Sequence, residues 1–116
     1  MFIEFLYQTP RDKPLHIAGP PGTEENVYQL FRLMYGGSTA SELPPVDYHI
    51  LHPGKRTVIE GIEVFPFRVP HQTQEISLGL NIQSVGKQIL YSGYSGDLAW
   101  SELFIEHARG VDLFLC

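Results

Sequence analysis

Phe67-Arg68-Val69-Pro70-His71 and, further along, Leu90-Tyr91-Ser92-Gly93-Tyr94-Ser95-Gly96-Asp97 are the two stretches on which the fold turns. Each is a β-rich run that meets a chain breaker and then a residue able to bind a metal. Proline cannot donate to a ladder and glycine turns the chain readily, so the runs stop where they deliver His71 and Asp97. Between them, Ile76 to Gln83 and Gln88 to Tyr91 read as strands joined by the Val85-Gly86-Lys87 turn. A hairpin returns the chain to the edge it left. The imidazole of His71 and the carboxylate of Asp97 are therefore expected at one end of a sheet, within roughly 3 to 6 Å of each other.

Working outward, Tyr48 to Leu51, Thr57 to Ile59 and Ile62 to Val69 carry strand character, with Gly54 and Gly61 marking turns. Upstream, Leu15-His16-Ile17-Ala18-Gly19 is a short strand closed by Pro20-Pro21-Gly22. Thr23 then stands at a helix N-cap, and Glu24 and Glu25 lie in the first turn, where the helix dipole favours carboxylates. Val27, Leu30, Phe31 and Met34 recur at helical spacing, and Gly36-Gly37 supplies the stop. Ser101 to Ala108 reads as a second helix, followed by Gly110 and by a strand of buried type, Val111-Asp112-Leu113-Phe114-Leu115. Met1 to Tyr7 is apolar with no start signal and reads as an element begun upstream. A fragment of a longer reading frame is one expectation from these ends.

With 116 residues, 43% of them hydrophobic and 18% charged, the chain has the length and composition of a single folded domain, residues 1–116. Its net charge of -5 and pI near 5.4 give no footprint for nucleic acid, which requires clustered Lys and Arg. Cys116 is the sole cysteine, so no intrachain disulfide is possible and a reducing, cytoplasmic setting is expected. Neither a membrane span nor a secretory signal is expected.

The order of these motifs resembles the metallo-β-lactamase superfamily, in its branch related to transfer-RNA 3′-processing ribonuclease Z. Pro14 to Thr23 is similar to the passage in which a Gly-Pro turn opens a helix. Ile62 to His71 followed by Leu78-Gly79-Leu80 is similar to the segment in which a histidine precedes a hairpin. Tyr94-Ser95-Gly96-Asp97 resembles the run whose carboxylate bridges two metals. The resemblance implies an α/β fold, a partial metallo-β-lactamase-like sandwich with a mixed sheet and two flanking helices. It also implies a metal-dependent hydrolase, with a metal of the zinc or iron type and an ester or phosphodiester as substrate. His71 and Asp97 are the metal ligands it carries over, and no catalytic residue beyond them is assigned. The chain departs from the family in having no His-x-His-x-Asp-His run, whose place would precede Met1, and no later strand-end histidine. Two ligands cannot complete a catalytic zinc site, so the chain alone is expected to be inactive.

The tandem Tyr91-Ser92-Gly93 and Tyr94-Ser95-Gly96 leaves two registers open. In one, Asp97 keeps the ligand position; in the other, Tyr94 replaces it. Each candidate also has a plainer reading. His71 suits a turn after Pro70, and Asp97 suits a helix cap before Leu98, a contact worth about 1 kcal/mol. His16, His49 and His52 read as packing residues on or beside strands, with His16 and Ala18 on one face. His107, in the last turn of its helix, reads as a partly cationic imidazole meeting the dipole. Gly19 to Thr23 is no phosphate loop, because its prolines remove the amides that such a loop needs. Neither Tyr-Ser-Gly copy has the Gly-x-Ser-x-Gly elbow of a serine nucleophile. The rival to a hydrolase is a non-catalytic binding or assembly protein. In either case open sheet edges make the chain a homo-oligomer by expectation, most simply a dimer.

Overall fold

The structure, a computed structural model, describes residues 12–35, 45–70, 76–93 and 102–116. It divides into two compact units, Met1–Ile50 and Leu51–Cys116.

In the first unit, β1 (Leu15–Gly19) and β2 (Val46–Ile50) pair in parallel, from Leu15 opposite Val46 to Gly19 opposite Ile50. Parallel neighbours need a crossover, and α1 (Thr23–Tyr35) lies in that connection. The turn into α1 differs from the sequence expectation. The Gly22 carbonyl accepts the first helical bond, from the Asn26 amide at 3.0 Å, so Gly22 and not Thr23 is the cap residue. The Thr23 hydroxyl instead donates back to the Pro20 carbonyl at 2.6 Å, tying the Pro-Pro turn to the helix. Any side chain at Gly19 would run into that same Thr23 side chain, which is why glycine ends β1. Only Phe31 of the expected apolar stripe is fully buried; Leu30 and Met34 are exposed. Tyr48, on β2, has a buried hydroxyl with no hydrogen-bond partner among the described residues. Burial first, and then the charge of Glu24, raises its pKa.

The second unit is a five-stranded sheet in the order β3 (Thr57–Ile59), β4 (Ile62–Arg68), β5 (Leu78–Ser84), β6 (Lys87–Tyr91), β7 (Leu113–Leu115). The first four strands form an antiparallel meander, and β7 joins β6 in parallel after α2 (Glu102–Ala108). Both hairpin turns flanking β4 and β6 are tight: Glu60 and Gly61, and Val85 and Gly86, all take positive φ. That pairing is the signature of a two-residue turn matched to strand twist. Pro66 sits within β4 where β3 has already ended, so no ladder bond is lost on that side; its carbonyl accepts from the Gly54 amide at 2.8 Å.

The register puts Phe67 opposite Gly79, and Asn81 opposite Leu90, on one face of the sheet. There Phe67, Val69 and Leu90 form a buried cluster against which Phe104, Ala108 and Val111 pack. Phe104 meets Phe67 and Phe114 edge-on, with centroids 6.1 and 5.5 Å apart. The buried-type strand expected at Val111 to Leu115 is corrected. Leu113, Phe114 and Leu115 are each close to half exposed, because β7 pairs only with β6 among the described strands and forms the sheet edge.

Candidate functional site

Because β4 and β6 are both antiparallel to β5, they run in the same direction, and β7 runs with β6. All three strands therefore end at one edge of the sheet. The ladder continues past the formal strand ends: the Val69 amide donates to the Ser77 carbonyl at 3.0 Å, and the Ser92 amide to the Leu115 carbonyl at 2.9 Å. Val69 and Ser92 are buried there. Gly93 turns the chain with φ of 79°, and a Cβ on it would stand 2.7 Å from the Leu78 carbonyl oxygen and 3.7 Å from Val69 Cγ2. The exits of β4 and β6 thus lie close together, beside the start of β5.

His71 follows the first exit by two positions from Val69, and Asp97 the second by four from Gly93. Both residues, and Tyr94, lie outside the described residues. The copy of the tandem repeat that occupies the strand exit is Tyr91-Ser92-Gly93. Cys116, exposed and unpaired with any other cysteine, follows the end of β7. Among the described residues no three His, Cys, Asp or Glu side chains are grouped to hold a metal ion.

The other histidines divide. His107 packs against the sheet. Its ring stacks on Phe67, centroids 4.1 Å apart and planes 15° apart, with Phe65 at 5.8 Å. Burial lowers its pKa, and the charge of Glu106 offsets this in part. With Arg56, Glu63, Asn81 and Gln88 it lines a shallow cleft of about 220 Å³. Within it Arg56 pairs with Glu63, and the Gln88 side-chain amide donates to Asn81 Oδ1 at 2.7 Å.

His16 and His49 come together across β1 and β2, Nδ1 to Nε2 at 2.9 Å. Alternation in the sequence placed His16 on a face. Its partner depended on a parallel register, and no local residue signals that register.

Comparison with known proteins adds a likeness of fold. No protein-family model and no curated protein sequence matches the chain. Among solved structures, the chain is similar to the metallo-beta-lactamase fold protein YhfI from Bacillus subtilis, with a TM-score of 0.65 and 14% identity over 96% of this chain. The match spans 40% of that protein's length. No described helix is long and apolar enough to cross a membrane. The mixed sheet, the two helices and this likeness give the chain a metallo-β-lactamase-like α/β fold over part of that fold's length.

Proposed function

We propose that the chain is a metal-dependent hydrolase-like domain of the ribonuclease Z-like branch, with an ester or phosphodiester as its substrate class, set in the reducing cytoplasm. In this reading residues 1–116 act as one domain. The observation that supports it is the closeness of the β4 and β6 exits, where a Cβ on Gly93 would meet the Leu78 carbonyl and Val69 Cγ2. In sequence, His71 and Asp97 follow these two exits. They are the residues proposed to hold zinc; such an ion supplies a bound hydroxide and neutralises charge on a leaving oxygen. Two protein donors leave the ion incompletely held, so the isolated chain binds zinc weakly and does not turn over.

The test is elemental analysis of the untagged chain after dialysis against zinc, alongside His71→Asn and Asp97→Asn, with hydrolysis of bis(p-nitrophenyl) phosphate as the activity readout. Sub-stoichiometric zinc that falls further in both variants, without turnover, is the expected result. Equal zinc in all three proteins would remove the site. If only Asp97→Asn is silent, the first Tyr-Ser-Gly copy keeps the family register and Tyr94 stands in the ligand position.

A second reading, an assembly protein that associates through open sheet edges, is favoured by one observation. The edge strand β7 presents three apolar side chains, 44 to 48% exposed, with no charge among them.

A further inference from the structure

The face of β1 and β2 that carries His16, Ala18, Asp47 and His49 holds a cluster unrelated to the strand exits of the other unit. In register, His16 stands opposite Asp47 and Ala18 opposite His49, so both imidazoles and the carboxylate project from the same side of the pleat. The two rings meet nitrogen to nitrogen, Nδ1 of His16 to Nε2 of His49 at 2.9 Å, with centroids 5.2 Å apart. Asp47 Oδ2 lies 3.8 Å from the same His16 nitrogen. The His16 side chain is 29% exposed and that of Asp47 56%, so an ion can reach them from solvent without opening the strands.

Two nitrogens bound about 2.0 Å from one ion stand roughly 2.9 Å apart at a right angle and roughly 3.4 Å apart at the tetrahedral angle. The observed separation, set by an N–H···N hydrogen bond between the rings, already lies at the first. We propose that His16 and His49 form a two-imidazole chelate for a divalent ion of right-angle ligand geometry, Ni(II) or Cu(II) in type, which clamps β1 to β2. Imidazole suits these ions, and both prefer tetragonal or square-planar arrangements. In the metal-free pair a single proton lies between the nitrogens. Binding moves that proton to the other nitrogen of its own ring, a change of tautomer, and tilts each ring so that both lone pairs point at one centre, with the nitrogens kept near their present spacing. Asp47 contributes negative charge beside the ion, and water fills the remaining positions. Two protein donors give a site of modest affinity.

Nickel chloride titrated into the untagged full chain by calorimetry tests this. The parent should saturate at one ion per chain. His16→Phe and His49→Phe, which keep a ring in place, should each abolish saturable binding. Asp47→Asn should weaken it on the order of tenfold. His52→Ala should bind as the parent does, and the titration repeated in the double variant His71→Asn with Asp97→Asn should still show the step that His16→Phe and His49→Phe lose, which separates this site from the proposed hydrolase edge. Nickel bound equally by His16→Phe and His49→Phe, or no saturable binding by the parent, overturns the proposal. Should either ring variant fail to fold, imidazole resonances of the parent decide. Sub-stoichiometric nickel should broaden His16 and His49 and spare His52 and His107, and the opposite pattern overturns the site.

Discussion

At the scale of single residues, the packing under α2 rests on an absence of volume. A Cβ at Gly79 would lie within 3.0 Å of three atoms of the Phe67 ring, and Phe67 is only 4% exposed. The ring has nowhere to retreat. Gly79→Ala is expected to destabilise the fold by about 1 to 3 kcal/mol, as overpacked cores do, read as a lower urea midpoint with an unchanged slope. His107, stacked on that ring, sets a pH dependence. Its folded pKa lies below the ordinary imidazole value of about 6.5, so the unfolded chain binds the proton more readily. The stability it contributes is fully present above that value and is lost as pH falls from there through the folded pKa. His107→Phe keeps the stack and removes the proton, so melting temperature plotted against pH should lose its slope in that window. An unchanged slope would assign the acid sensitivity to other groups. Neither residue's role could be read from sequence, because helical position alone suggested a cation at a dipole and the ring beneath it came from register.

Elements show where local signals suffice. The β3–β4 and β5–β6 hairpins were legible from Gly61 and Gly86, because a positive φ is a demand that local chemistry announces. The expected start of β5 at Ile76 lies two residues before its observed start at Leu78, while Lys87 joins β6 at the turn. The β5–β6 turn is strained all the same. Val85 holds φ of 49°, a costly conformation for a β-branched residue, and its side chain is 98% exposed, so packing returns nothing. Val85→Asn creates the Asn-Gly pair that this turn prefers, and should raise stability by about 1 kcal/mol in thermal or urea unfolding. A drop in stability would mean that Val85 makes contacts its exposure does not suggest. The β6–β7 junction was less legible. Apolar residues at 113 to 115 looked like a central strand, yet they form an edge held by Asp112. Its carboxylate accepts from Lys87 at 2.7 Å and from the Gln88 amide at 2.9 Å, which lowers its pKa. A composition that suits a strand buried on both sides says nothing of whether a neighbour arrives.

For the whole molecule, fold class was readable because turns, a helix start and strand runs follow one another in a recognisable order, and a solved structure at 14% identity shares it. The site was readable only as far as the strand exits, since His71 and Asp97 lie outside the described residues. Association is the remaining property at this scale. The apolar edge of β7 is a template for pairing, and one charge on such an edge opposes it. Light scattering of the parent at micromolar concentration should show a dimer or larger, and Phe114→Lys should shift it toward monomer. A monomeric parent with a cooperative melt would end the assembly reading. The sheet also has a history written in its connections. Strands β3 to β6 each pair with the next in sequence, whereas β7 reaches β6 only by way of α2. Short loops close at little entropic cost and long ones later, so the meander should form first and β7 should dock last. The bond from the Ser92 amide to the Leu115 carbonyl then belongs to the final step. The β7 side of the β6 exit would be the last part of this unit to mature and, on unfolding, the first exposed to proteases.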